Sequence, residues 1–321
     1  MALLWYSPMQ RVIIWSGQRQ CYGVTGEVID CQGSGQDAEF RPGHPWPSPR
    51  FTKADDFMIL DRLTGLLWLR NANNFDFPMQ WQEAEERIQE MQAEAAFGRT
   101  DWRMPTRYEL RSLVDHGASR PALPQGHPFT NLFLGWYWTS TDAAIAQGYA
   151  WRLQVEGGRM FFGNKEEESF FWPVAGNSTI ALAATAGNDR FYQAQDGPGM
   201  VDGCTGLIWY PQADYSSRPL TWQSALQKAG TLRAESGLPW RMASINELES
   251  LVDANQHSPA LSPGHPFTGV QEGYWSSTTS FYDPAWSYVL YLHKGAVGVG
   301  FKEKRDFYLW PVREAAVPTA A

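Results

Sequence analysis

Cysteine is scarce. Three residues in 321 are too few for a framework of disulfides. Charge is scarce too, and what there is leans acidic: Asp, Glu, Lys and Arg make up 19 % of the chain, with a net charge of −8. That balance supplies no basic field for nucleic acid or an anionic bilayer, so neither is expected as a partner. No apolar run approaches the roughly 20 residues of a membrane-spanning helix, so no membrane insertion is expected. Met1 to Trp15 is mildly apolar, but Ser7, Pro8, Gln10 and Arg11 interrupt it. It lacks the basic start and long apolar core of a secretory leader. Three readings stay open: export by another route, a leader outside this sequence, or retention in the cell. Several chemical signatures are also missing. H-E-x-x-H, C-x-x-C, G-x-S-x-G, a Walker loop and an EF-hand loop do not occur.

Aromatics are plentiful instead. With 16 Trp, 13 Tyr and 17 Phe the chain has ample material for a packed core, and disorder is disfavoured. Many of these aromatics recur in a long repeat. Trp102-Arg103-Met104-Pro105-Thr106 runs on to Asp115, and Trp240-Arg241-Met242-Ala243-Ser244 runs on to Asp253, sharing W-R-M-x-[ST]-x-x-E-L-x-S-L-V-D. Five further landmarks keep nearly the same offset. Thr64-Gly65-Leu66-Leu67-Trp68 matches Thr205-Gly206-Leu207-Ile208-Trp209, and Trp81-Gln82 matches Trp222-Gln223. Gly126-His127-Pro128-Phe129 matches Gly264-His265-Pro266-Phe267, Tyr137-Trp138 matches Tyr274-Trp275, and Trp172-Pro173-Val174 matches Trp310-Pro311-Val312. Units of this size suit duplicated domains better than a solenoid.

Each copy divides into the same elements. A short strand is expected near Leu66 to Leu69 and near Leu207 to Tyr210. A helix from Trp81, with Ala84, Ile88 and Met91 at helical spacing, has its partner from Trp222. Thr106 with Glu109, and Ser244 with Glu247, form capping boxes that start a second helix. Strand pairs follow at Tyr149–Val155 with Arg159–Phe162, and at Trp286–Leu292 with Ala296–Phe301. The fold class is therefore α+β. The chain divides into an N-terminal extension 1–50, a first domain 51–175, a linker 176–189, a second domain 190–313 and a tail 314–321. In the extension, Cys21 and Cys31 flank a turn-rich stretch. A disulfide there would close a small hairpin and imply an oxidising compartment; the alternative is two free thiols. Cys204 has no counterpart, since Leu63 stands at the matching position.

Taken together, T-G-L-x-W, the W-R-M-x-[ST]-x-x-E-L-x-S-L-V-D helix start, the H-P-F turn, Y-W-[ST]-S-T and the closing W-P-V-R resemble the Lcl C-terminal domain family, a bacterial domain named after a collagen-like adhesin. Both halves carry the pattern. The resemblance implies two tandem C-type-lectin-like domains, each with two helices packed on a small antiparallel sheet. It implies adhesion or glycan binding in an extracellular or cell-surface setting. Related domains serve as receptor-binding proteins of phages. The sequence departs from the pattern at Ala243, which stands where the first copy has Pro105, and at Cys204, where the family usually has a polar residue. The Glu-Pro-Asn and Trp-Asn-Asp triplets of calcium-dependent lectins are absent, so binding is expected to be independent of calcium. The formylglycine-generating enzyme is similar at the level of fold, but its redox cysteines lie late in the domain. Here no cysteine follows Cys204.

Chemistry-bearing residues have bland explanations. His44, His127 and His265 sit in Gly-His-Pro turns, where an imidazole capping backbone carbonyls suffices and no second metal ligand recurs. The capping boxes account for Glu109 and Glu247, and Arg103 and Arg241 read as buried structural charges. No catalytic residue, metal or cofactor is expected. What remains is a surface for a glycan or protein ligand, with a homo-oligomer left open. The late hairpins carry hydroxyls and aromatics that read as exposed: Ser276, Ser277, Thr278, Thr279, Phe281, Tyr282, Tyr288 and Tyr291. Residues 283–313 hold five Lys or Arg against three acids, a local +2 on an acidic protein. The second copy is thus the expected recognising half, through Tyr282, Trp286, Tyr288, Tyr291, Lys302, Lys304 and Arg305. The alternatives are a structural or receptor-binding module of a phage tail or secreted assembly and, third, an enzyme.

Overall fold

The computed structural model describes residues 11–182 and 190–314. Half of the expected linker, the first ten residues and the tail beyond 314 lie outside the described residues. The lead-in holds a two-stranded hairpin, β1 (Cys21–Tyr22) with β2 (Val28–Ile29), and a single-turn helix α1 (Asp37–Phe40). Cys21 and Cys31 are joined by a disulfide that closes this hairpin.

The first copy runs β3 (Phe51–Lys53), β4 (Met58–Asp61), β5 (Leu67–Leu69), α2 (Trp81–Ala93), α3 (Arg107–Ser112), β6 (Trp136–Asp142), β7 (Tyr149–Gln154), β8 (Arg159–Asn164), β9 (Phe170–Phe171) and β10 (Val174–Ala175). The second follows the same plan, with a strand added between its helices and none matching β9: β11 (Phe191–Gln193), β12 (Met200–Asp202), β13 (Leu207–Trp209), α4 (Trp222–Ser236), β14 (Arg241–Met242), α5 (Ile245–Ser250), β15 (Tyr274–Thr279), β16 (Trp286–Tyr291), β17 (Ala296–Phe301) and β18 (Pro311–Glu314). The architecture is α+β. The helices start where the polar residues require. In α3 the Glu109 amide donates to Thr106 Oγ1 at 3.3 Å, and the Thr106 amide donates to Glu109 Oε2 at 2.8 Å. In α5 Ser244 and Glu247 repeat both bonds at 3.3 and 2.8 Å. Each glutamate also takes a two-pronged ion pair, from Arg103 in the first copy and Arg241 in the second. One carboxylate therefore caps the helix and neutralises the arginine that precedes it. α4 ends on Gly237, whose φ of 68° supplies the left-handed C-cap.

Beside each helix pair lies a small sheet of its own, ordered β10-β5-β4-β3 and β11-β12-β13-β18-β14. The large sheet is shared, in the order β15-β16-β17-β8-β7-β6-β9. It closes the gap between the copies by an antiparallel contact of Val297 with Met160. These two residues hold equivalent places in equivalent strands, so the copies are related by a local twofold axis through this seam. Pairing β8 with β17 removes two sheet edges that would otherwise face water. The two duplicated halves consequently share buried apolar residues. One buried apolar cluster runs from Met58, Trp68 and Trp102 through Met160 and Val297 to Leu248, Tyr288 and Trp310.

Candidate functional site

Polar side chains lock the seam. α3 and α5 face each other across the twofold axis, and position x of the shared E-L-x-S motif is Arg111 in one and Glu249 in the other. Arg111 Nε donates to Glu249 Oε2, and Arg107 Nη2 reaches Glu249 Oε1 at 3.0 Å. Burial alone would raise the Glu249 carboxyl, but the Arg111 and Arg107 guanidiniums hold it below its usual range. Arg111 Nη1 also donates to Gly158 O at 2.8 Å and Arg107 Nη2 to Gly295 O at 2.6 Å, in the two hairpin turns of the large sheet. His116 Nε2 lies 3.1 Å from Arg111 Nη2. Burial first and the Arg111 charge second push this imidazole well below its ordinary pKa, so it stays neutral and can accept.

This lock fixes a groove of ≈250 Å³ on the surface above it, between the β7–β8 turn of one copy and the segment entering β16 of the other. The first copy contributes Gln154, Glu156, Gly157 and Arg159; the second contributes Ser280, Tyr282, Asp283, Trp286 and Val299. Trp286 packs on Phe301 with ring centroids 5.4 Å apart. Tyr282 is 49 % exposed, and Arg120 of the other copy lies over its ring at 4.7 Å while donating to its hydroxyl at 2.6 Å. Arg120 also pairs with Glu156 at 3.3 Å, tying the two walls together. Gln154 Oε1 accepts from Arg159 Nε at 2.7 Å. Aromatic platforms thus stand beside an amide, carboxylates, a guanidinium and a hydroxyl. That mixture of donors and acceptors suits a partner rich in hydroxyls.

Of the seven residues expected to bind, the structure brings Tyr282 and Trp286 together in this groove and sends the others elsewhere. Tyr288 is fully buried: it shares a sheet face with Trp286, but the first copy covers it, with His116 against its ring at 4.5 Å and Gly157 O accepting from its hydroxyl. Tyr291 lies at the far end of the same strand, roughly 17 Å from Trp286 by strand rise, and packs on Phe307 at 5.6 Å. Lys302 is a correction: it is 0 % exposed, donates to Gly23 O at 3.1 Å and sits 4.0 Å over the Trp222 ring. Its repeat partner is Lys165, which lies 3.7 Å over Trp81. Lys302 therefore belongs to the duplicated scaffold, not to a variable loop. Lys304 and Arg305 are exposed on the turn after β17, outside the groove. Ser276, Ser277, Thr278 and Thr279 are buried as well, the first two bonded to Tyr288 O and Ala243 O within the second copy and the last two held by the lead-in. Thr278 Oγ1 donates to Asp37, and Gln18 brackets the Thr279 amide and carbonyl.

The lead-in builds a second cleft of ≈610 Å³, which the sequence reading missed. Trp15 and Trp46 stand 5.2 Å apart in its wall, with the Arg19 guanidinium 4.9 and 5.6 Å from their rings. Phe281 closes it from the second copy. Neighbouring residues Phe281 and Tyr282 thus separate the two clefts. Residues 1–50 have no repeat partner, so comparison of the copies could not expose this cleft; Trp15 and Trp46 in turn-rich sequence were the available signal. The groove itself was legible only in part, since four of its nine lining residues come from the first copy, while the second was the expected recognising half.

The imidazoles of two Gly-His-Pro turns pack on rings instead of capping carbonyls: His127 lies over Phe129 at 5.8 Å and His265 over Phe267 at 6.0 Å, and among the described residues neither Nδ1 has a hydrogen-bond partner. Among the described residues no group of three or more His, Cys, Asp or Glu is arranged to hold a metal ion. No helix among them is long and apolar enough to cross a membrane. No match is found among curated proteins. The model of the Lcl C-terminal domain matches twice, at residues 57–175 and 199–313. These matches cover most of the chain and coincide with the two duplicated halves on either side of the seam, so the protein belongs to the Lcl C-terminal domain family, in two tandem copies.

Proposed function

We propose that the protein is a non-catalytic binding or adhesion protein, with two C-type-lectin-like units that grip a glycan or a glycan-bearing protein surface without calcium, at the cell surface or outside the cell. The observation that carries this reading is the composite groove, in which Trp286 and Tyr282 offer ring faces beside Gln154, Glu156, Arg159 and Asp283. A sugar ring stacks its C–H face on an indole while its hydroxyls exchange hydrogen bonds with amides and carboxylates. The disulfide between Cys21 and Cys31 fits an oxidising compartment. The late half of each copy has no cysteine to serve as a redox nucleophile, which speaks against the enzyme reading. A second reading, a module of a tail or secreted assembly held by protein contacts, draws support from exposed Phe57, Phe77, Phe133 and Leu134 on the first copy. A glycan array probed with the whole chain, in calcium and in chelator, tests the proposal. Retention of the same glycans in both is expected; blank arrays in both would favour the assembly reading.

A further inference from the structure

The cleft built by the lead-in and the groove above the seam share both of their walls. On the side of the second copy, Phe281 lines the cleft and the next residue, Tyr282, lines the groove. Consecutive Cα atoms are about 3.8 Å apart, so one residue's width of chain divides the two hollows here. On the side of the first copy, one loop gives Gly117, Pro124 and Gln125 to the cleft and sends Arg120 across to Tyr282. The ridge between the hollows therefore carries the Arg120–Tyr282 latch. The Arg120 side chain is 59 % exposed and Tyr282 49 % exposed. A polar contact so open to water is weakly held, and a ligand can push it aside.

The cleft repeats the chemistry of the groove. Trp15 and Trp46 are half-buried, so part of each indole meets solvent. Gln20 and Gln125 are exposed beside them and bring amides, and Arg19 brings a guanidinium. The groove alone holds ≈250 Å³, below the roughly 300–1,000 Å³ usual for a ligand site, and the cleft adds ≈610 Å³. We propose that the cleft is a second subsite for the ligand of the groove and that this ligand is an extended oligosaccharide, with one unit stacked on Trp286 and later units crossing the ridge onto Trp15 and Trp46. The proposal rests on the glycan reading of the groove. Trp15, Arg19 and Trp46 precede residue 57, where the first family match begins, so the subsite is a property of the lead-in and not of the repeated domain. Joining two subsites raises affinity through effective concentration by about 10²–10⁴, so a chain that reaches both binds at least about a hundredfold more tightly than a fragment confined to the groove.

The experiment probes the whole chain on an array of size-graded oligosaccharides, disaccharide to octasaccharide, from glucan, chitin, N-acetyllactosamine and uronate-containing series. In the series that binds, affinity should climb by that factor at the length that reaches the cleft. Trp46→Ala should bring the long members down to the level of the short ones and leave the short ones unchanged. Hydroxyl-radical footprinting of the wild type reads the same contact without a variant: a long member should shield Trp15, Trp46 and Trp286, and a short one Trp286 alone. Equal binding of short and long members, or Trp15 and Trp46 left unshielded by the long ones, would overturn the second subsite while the groove reading stood. An array blank at every length would remove the glycan reading and the subsite with it.

Discussion

At the scale of single residues, Glu249 sits at the centre of the seam, buried and bonded to two arginines from the other copy. Replacing it by glutamine keeps its shape and strands two buried cations. Breaking a buried pair of this kind costs on the order of 3–5 kcal/mol, so Glu249→Gln should lower the denaturation midpoint sharply while Glu235→Gln, on an exposed helix surface, should not. The same carboxylate predicts an acid limb. Its folded pKa lies below the ordinary glutamate value of 4.5, so its contribution is present above about pH 4.5 and is lost as pH falls through the lower folded value. The lock was half legible. Opposite charges at one position of a repeated motif are what a twofold axis brings together, but the sequence shows a repeat without showing its symmetry. Glu109 and Glu247 were legible in full, because a capping box is local and needs no knowledge of distant packing.

At the scale of elements, the two copies use one device in different surroundings. The first helix of each begins with a tryptophan that carries a lysine on its ring: Trp81 with Lys165, Trp222 with Lys302. In the first copy the lysine keeps some access to water and pairs with Asp142 at 2.6 Å. In the second the disulfide hairpin covers it, Thr279 stands in place of that aspartate, and Gly23 O takes over as acceptor. Copy for copy, the buried Leu226 replaces Glu85. Burial pushes the Lys302 amine down to about 7, against the opposing pull of Glu27 and Asp283. The folded pKa is thus lower than the unfolded 10.5. Between roughly pH 7 and 10 the unfolded chain holds a proton that the folded chain lacks, so this group makes stability rise with pH across that window. Lys302→Met should remove the rise and leave binding in the groove intact; parallel stability profiles for the two proteins would refute the assignment. The sequence counted Lys302 among surface charges because a lysine in a polar turn is normally solvated. Its cover comes from a segment some 280 residues away, which periodicity cannot register.

At the scale of the whole molecule, helix and strand order were readable in each half, since capping residues, apolar spacing and turn signals act over a few residues. The joining of β8 to β17 was not, because an edge strand looks the same in sequence whether it meets water or a twin. With one sheet and one continuous apolar cluster across both copies, unfolding should be a single cooperative transition in calorimetry; two resolved transitions would mean that the halves melt independently. Fusion also moves the expected binding face from the second copy alone to the line between the two. The most direct measurement compares the affinity of one array-identified glycan for the wild type, Trp286→Ala, Arg159→Ala and the charge reversal Lys304→Glu with Arg305→Glu. A groove shared by both copies predicts losses of about tenfold or more, ~1.4 kcal/mol, in each of the first two variants and an unchanged affinity in the third. Full binding by Trp286→Ala and Arg159→Ala, with loss in the charge-reversed protein, would contradict it.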